Sequence, residues 1–346
     1  MIDILPWQLQ PLRELLARRG KLPHALLIHG NRGIGKVEFA KAVAQSLLCE
    51  SNEDGVACGK CSACGWFRDG NHPDFRALVP GILAEEGVDI DTNADEAEKQ
   101  DEKKDEKKDE KKSKEIRIDQ IRALGGFMTL STHRDGFRIL LIYPAETLNP
   151  NAANSLLKTL EEPPAKTLIL LVTDQLNRLL ATIRSRCQRV LLPSPSTDEA
   201  GTWLSAQGVA NAAPTLAMAG GAPLDALAFA APGYQAERKA FIAALADPVA
   251  DYMAAAQSFE KSDVNHLVTW LQTWVADIAL SSLAGEVRHH IDEKKAIAGI
   301  AARVRLPKLF RYESELRQAR RSISHPLNAR LLLEQLLISY QRAIQP

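Results

Sequence analysis

Three constellations in this 346-residue chain have the residue types and spacing to do chemistry. The first is Gly30-Asn31-Arg32-Gly33-Ile34-Gly35-Lys36-Val37, which keeps the glycines and lysine of a G-x-x-x-x-G-K-[ST] phosphate-binding loop but ends in valine. In such a loop, backbone N–H groups cradle phosphates, the lysine reaches the terminal ones and the last hydroxyl holds Mg²⁺. Val37 has no oxygen for the metal. Gly30, Gly33, Gly35 and Lys36 therefore read as a vestigial loop, fitted to the architecture of nucleotide binding and not to hydrolysis. On balance the lysine and glycines serve the fold, since the tight turn needs glycine whatever the ligand.

The second constellation is Cys49, Cys58, Cys61 and Cys64, four of the five cysteines, spaced C-x₈-C-x₂-C-x₂-C. Overlapping C-x₂-C steps bring thiolates within reach of one ion, and Gly59 and Gly65 permit the turns around it. Four thiolates leave no position open for water, so the expected site is structural zinc, clipping the end of the loop's helix to the knuckle that follows. Two disulfides or four unligated thiols are the rival arrangements, and an expected cytoplasmic location argues against disulfides. Arg68 and His72 make only a thin basic neighbourhood for nucleic acid. The third constellation is Ser185-Arg186-Cys187. A guanidinium is always charged and hydrogen-bonds in several directions, so it can stabilise charge on a transferred phosphoryl group. Taken alone, such an arginine reads as a surface ion pair, and Cys187, with no assignable base, reads as packing.

The elements that must hold these residues are legible as apolar runs. Ala25–Ile28, Phe75–Val79, 137–142, Thr167–Val172 and 188–192 are expected strands, alternating with helical patterns. Alternation of this kind implies an α/β fold with a parallel sheet covered by helices on both faces. Lys36–Leu48 reads as a helix whose positive N-terminus faces the loop. Another helix is delimited by a capping Asn149, Pro150 in its first turn and Pro163-Pro164 at its end, with Ala153, Leu156, Leu157 and Leu160 on one face. Beyond Pro193-Ser194-Pro195 the strand signals vanish. Alanine- and leucine-rich helical patterns follow, broken at Gly220-Gly221 with Pro223 and at Pro232-Gly233. The last helix carries Leu327, Leu331, Leu332, Leu336 and Leu337 broadly on one face.

Hydrolysis also needs an acidic residue at the end of a later strand to hold Mg²⁺, and often a second beside it to orient water. Arg138-Ile139-Leu140-Leu141-Ile142 ends instead in Tyr143-Pro144, and Glu146 comes two residues late, where it reads as a solvated loop carboxylate. Lysine plus arginine equals aspartate plus glutamate at 43 each, so bulk charge favours no nucleic-acid or membrane surface. The basic stretch from Arg303 to Arg321 is the best local candidate for facing DNA, although a solvated helical face is the commoner outcome. No basic leader precedes an apolar core, and no apolar run approaches the ~18 residues of a membrane span. Residues 84–115, ending in three copies of Asp-Glu-Lys-Lys, have little to bury and place like charges at i,i+4, so they read as a solvated insertion.

Asn154-Ser155-Leu156-Leu157-Lys158-Thr159-Leu160-Glu161-Glu162-Pro163-Pro164, followed by Ala181-Thr182-Ile183-Arg184-Ser185-Arg186-Cys187, resembles the clamp-loader branch of the AAA+ ATPases, and the cysteines after the loop helix narrow this to the bacterial DNA polymerase III clamp loader. The resemblance covers essentially the whole chain. It implies an AAA+ domain over residues 1–194 with an inserted zinc module at 49–64, a helical lid over 195–235 and an all-α collar over 236–346 that oligomerises. Two subunit types of that family carry both features, the ATPase motor and a subunit whose own nucleotide site is unused. Val37, Tyr143-Pro144 and Leu224, which stands where motor subunits place a sensing arginine, all point to the second. The resemblance further implies motor (gamma/tau) and delta subunits as partners in a hetero-pentameric ring, which places a sliding clamp on primed DNA. Arg186, flanked by Ser185 and Cys187, then reaches a neighbour's ATP. An active motor-type ATPase that recruits Mg²⁺ through Glu146 is the alternative.

Overall fold

The computed structural model describes residues 4–51, 55–85, 113–129, 136–247, 251–323 and 329–345. The chain divides into two compact units, Met1–Pro195 and Ser196–Pro346. In the first, five strands form one sheet: β1 (Ala25–His29), β2 (Phe75–Leu78), β3 (Arg138–Ile142), β4 (Thr167–Thr173) and β5 (Gln188–Leu191). Their spatial order is β2-β3-β4-β1-β5, with every pairing parallel. The three central strands bury nearly all their residues because both faces are covered, which is why they read as continuous apolar runs. Alternate residues serve opposite cores. Leu26, Ile28, Ile139, Leu141, Leu168 and Leu170 face one, whereas Leu27, Leu140, Ile142, Ile169 and Leu171 face the other.

Helices α1 (Leu9–Leu16) and α2 (Lys36–Leu48) pack on the first face through Leu12, Phe39, Val43 and Leu47. After the short helix α3 (Ser62–Arg68), helix α4 (Pro150–Glu161) covers the second face with Ala152, Ala153, Leu156 and Leu160. Asn149 caps α4, its Oδ1 accepting from the Ala152 N–H at 2.8 Å, an interaction of about 1 kcal/mol. A four-residue helix, α5 (Ala181–Arg184), leads to the Ser185-Arg186-Cys187 segment. The acidic and basic repeats expected to be a solvated insertion fall largely on residues 86–112, outside the described residues. The segments on either side of them meet, since the Ile82 N–H donates to the Ser113 carbonyl at 3.1 Å.

The second unit is helical and contains two separate apolar clusters. A small one unites α6 (Thr197–Ala206), α7 (Ala212–Met218) and α8 (Pro223–Phe229) around Leu204, Leu216 and Ala226. A larger one joins α9 (Pro232–Ala246), α10 (Val264–Ala284), α11 (Lys294–Ala301), α12 (Leu306–Ser322) and α13 (Ala329–Ile344) around Phe241, Trp270, Trp274, Tyr312 and Tyr340. The 21 residues of α10, at a mean hydropathy of 1.2 over their most apolar stretch, are long and apolar enough to cross a membrane, which corrects the expectation that no run approaches that length. Its packing is that of a core helix. Leu267, Leu271, Trp274 and Ile278 are buried, the Trp274 indole donates to Tyr340 Oη at 2.8 Å, and the buried Asp277 carboxylate accepts N–H groups of Arg288, His289 and His290. On α13 the buried leucines are Leu333, Leu336 and Leu337. Leu331, expected on that face, is 62% exposed, and Leu327 lies outside the described residues.

A polar knot closes this core. Arg238 makes two hydrogen bonds to the Asp292 carboxylate, at 2.8 and 2.9 Å, and a third links it to His290 Nδ1 at 2.9 Å; His290 Nε2 meets Thr273 Oγ1 at 2.9 Å. Burial, and next the Arg238 charge, push His290 down to about 3, with Asp292 opposing. The folded state thus binds fewer protons than the unfolded chain between pH 3 and 6.5, and stability falls as pH drops through 6.5. Denaturant unfolding should show a loss of about 2 kcal/mol attributable to this histidine between pH 7 and pH 5. His290→Gln should flatten that part of the profile.

Candidate functional site

The carboxyl ends of β1, β3 and β4 converge at one edge of the first unit, where open parallel sheets place their ligand sites. Gly30 to Gly35 leave β1 and turn into α2. A Cβ on Gly30 would stand 2.5 Å from the Leu192 carbonyl oxygen. One on Gly35, where φ is +85°, would collide with Leu5 and stand 2.5 Å from Gln8 Nε2. The glycines are thus required by close approach of the chain's own residues. From the amino-terminal segment, Gln8 Nε2 donates to the carbonyls of Ile34 and Gly35, and the Trp7 indole N–H donates to Ile34.

Lys36 is buried, and its ammonium is fully engaged within the chain. Nζ donates to the carbonyls of Gly30 and Asn31 and pairs with Asp174 Oδ1 at 2.5 Å. Asp174 follows β4 directly. Its own N–H donates to Glu146 Oε1 at 3.2 Å. Glu146 is therefore a half-buried loop brace, with Oε2 buried and lacking a hydrogen-bond partner, and not the solvated carboxylate expected from sequence. Tyr143, where a magnesium ligand would stand, is half-buried, and burial together with the Asp174 charge pushes its hydroxyl up to about 12. Neutral at any ordinary pH, it offers no charge to a metal. Val37 packs against the sheet core.

The four cysteines come together. All four Sγ atoms lie within 4.8 Å of one another, and Cys49 and Cys61 are 3.8 Å apart, the edge of a tetrahedron with metal–sulfur bonds of about 2.3 Å. None is in a disulfide. N–H groups point at the sulfurs: Cys58 to Cys49 at 3.3 Å, Cys61 to Cys58 at 3.4 Å and Cys64 to Cys61 at 3.4 Å. Bonds from the Lys60 and Cys61 N–H groups bring Cys58 down to about 6, while burial raises Cys49 and Cys64. The donor set suits a metal ion that takes four thiolates. His72, expected beside Arg68 on a thin basic surface, is buried with its ring edge-on to Trp66.

Arg186 stands apart from the loop cluster. Its side chain is exposed, with Nη2 2.5 Å from Glu161 Oε1 and Nη1 donating to the Thr182 carbonyl at 3.1 Å. The exposed Ser185 hydroxyl donates to the same carbonyl at 3.0 Å. Cys187 is buried, its thiol pushed up to about 11 by burial, and it packs in the second sheet core. In the basic stretch, Arg317 pairs with Glu313 and Arg320 donates to Asn265 and Thr269, whereas Arg303, Arg305 and Arg311 are exposed. Leu224 sits half-buried on α8. Residues not assigned from sequence are Gln8, Asp174 and Glu161. The available signal for Asp174 was an acid two residues beyond a predicted strand.

Sheet order, glycine loop and helical second unit define an AAA+-type domain followed by helices. Profiles described as "DNA polymerase III, delta subunit" and "DNA polymerase III, delta subunit, C terminal" match residues 8–196 and 232–342. The chain is 33% identical to DNA polymerase III subunit delta' of Pseudomonas aeruginosa, spanning 98% of both chains. It is 28% identical to the subunit of that name from Escherichia coli K12, over 99% of this chain and 96% of that one. A DNA polymerase III gamma subunit-related protein of Thermotoga maritima shares the fold with a TM-score of 0.50 at 16% identity, covering 98% of this chain and 100% of that one. The chain belongs to the DNA polymerase III delta-prime family and is a clamp-loader subunit.

The Lys36–Asp174 pair yields a stability prediction. Lys36→Ala should destabilise the chain by about 2–3 kcal/mol in urea unfolding, less than a fully buried pair because Asp174 keeps some solvent. Adding Asp174→Asn to the lysine variant should recover part of that loss, since the stranded charge is removed.

Proposed function

We propose that this clamp-loader subunit does not hydrolyse ATP in its own site and instead supplies Arg186 in trans to the ATP bound by a neighbouring motor subunit. The observation that carries this reading is the contrast between the two cations. Lys36 is buried and saturated by Gly30, Asn31 and Asp174, whereas Arg186 is exposed and, among the described residues, held by Glu161 and the Thr182 carbonyl. A nucleotide taking Lys36 would have to displace the Asp174 carboxylate, and the engagement of Glu146 with Asp174 disfavours the alternative of an ATPase using Glu146 for Mg²⁺. The chain would then act in the cytoplasm within a hetero-pentameric ring of motor and delta subunits, through a helical lid over 195–235 and a collar over 236–346. Its position would couple ring closure to the loading of a sliding clamp on primed DNA.

Zinc is the metal best suited to the four sulfurs, and as a closed thiolate site it would clip the end of α2 to α3 with no role in chemistry. Metal analysis of protein purified without added zinc should find about one equivalent, released together with loss of thermal stability on chelation. A value well under one, with all four thiols reactive, contradicts this reading. If Arg303, Arg305 and Arg311 face DNA, their replacement should flatten the salt dependence of the assembly's DNA affinity, and an unchanged slope retires that role.

Arg186→Ala should lower clamp- and DNA-stimulated hydrolysis by the reconstituted assembly on the order of tenfold, well short of the 10³–10⁵ of GTPase arginine fingers, because the motor subunits keep their own lysine and metal. Equal assembly of both proteins is checked by gel filtration. Unchanged hydrolysis would reduce Arg186 to a structural residue.

A further inference from the structure

Arg186 is not a free side chain awaiting a ligand. Its guanidinium is bound on two sides by its own chain, and the partners differ in kind. The Thr182 carbonyl is neutral and lies four residues back, across α5. Glu161 is charged, distant in sequence, and the final residue of α4. Pro163 and Pro164 prevent that helix from continuing, and its carboxyl end adds the negative pole of the helix dipole to the carboxylate.

The chemistry of this pair bears on what the arginine must do. A phosphoryl group offers a guanidinium the same kind of paired oxygen acceptors that a carboxylate does, so the two compete for one site. A carboxylate left against the guanidinium during phosphoryl transfer would place negative charge beside the charge developing there and oppose it. The pair is also suited to exchange. The Arg186 and Glu161 side chains are 37% and 51% exposed, a setting in which an ion pair contributes little and separates readily.

We propose that Glu161 is a latch: a positioning residue that parks Arg186 against the end of α4 until a neighbour's nucleotide takes over the guanidinium. Engagement of the arginine is then an exchange of anionic partners, and the latch sets how much nucleotide is needed to drive it. The inference rests on the reading of Arg186 as a trans-acting residue.

The test is steady-state hydrolysis by the complete assembly, stimulated by clamp and primed DNA and followed across ATP concentration, with wild type, Glu161→Gln, Arg186→Ala and the double variant. Glutamine keeps the shape and an acceptor oxygen while removing the charge. Glu161→Gln should lower KM for ATP about two- to fivefold with kcat unchanged, the span set by the strength of an exposed pair. The effect should shrink at high salt and be absent when Arg186 is already alanine, an outcome that a merely structural glutamate would not give. Melting temperature and gel filtration establish that each variant folds and assembles, and Glu161→Asp, which keeps the charge, should restore most of the wild-type KM. A defective Arg186→Ala beside a Glu161→Gln with unchanged KM overturns the latch alone. A Glu161→Gln that loses kcat as Arg186→Ala does overturns it too, making Glu161 a guide. An Arg186→Ala without defect removes the trans-acting role and the latch with it.

Discussion

The ion pair between Lys36 and Asp174 is the constraint on which the character of the first unit depends. It joins the loop after β1 to the residue after β4, across two adjacent strands at the centre of the sheet. With Gly30 and Asn31 carbonyls as further partners, it satisfies a buried ammonium entirely from within the chain. Burying a charge is costly unless it is paired and hydrogen-bonded, so a buried lysine requires such an arrangement to be tolerated. The surrounding departures follow the same logic. Gln8 and Trp7 bond the loop's carbonyls, Val37 turns to the core and Tyr143 occupies the place of an acid.

The loop's scaffold is accounted for by packing within the chain itself. The glycine loop survives because Leu192, Leu5 and Gln8 pack where any Cβ would intrude, so its retention needs no nucleotide. The four cysteines gather the far end of α2 and the start of α3 at one place, with Lys36 at the near end of α2 and Cys49 just beyond the other. Rigidity of this kind suits the proposed role, in which the chain's contribution is where it holds Arg186. In the second unit, three polar devices inside an apolar bundle serve the same purpose: Asp277 under the backbone of 288–290, the Arg238–Asp292–His290 knot, and the Trp274–Tyr340–Leu245 chain of hydrogen bonds.

The sheet was legible in the sequence because its inner strands are buried on both faces and stand out as short apolar runs between turn signals; all five strands fall within a residue of their expected limits. Helices α2 and α4 were equally plain, the second from its cap and its terminating prolines. The clustering of the four cysteines was written in their spacing. What sequence alone could not supply was anything dependent on strand order. Asp174 reaches Lys36 only because β4 lies beside β1, and Glu161 meets Arg186 only because α4 and α5 end near each other. The phase of α13 was misread at Leu331 because consecutive leucines permit two helical faces, and only the packing around Tyr340 selects Leu333. Helix α10 did not stand out in the sequence as one apolar run because Asp277 and scattered threonines and serines interrupt it; in the packed helix Asp277, Thr269 and Thr273 make polar contacts.

The central claim is that the loop is closed by its own chain, and equilibrium binding of ATP to the isolated full chain, with and without Mg²⁺, tests it most directly. The account predicts no saturable binding at millimolar ATP and no effect of Mg²⁺. One-to-one, magnesium-dependent binding that disappears in Lys36→Ala would contradict it.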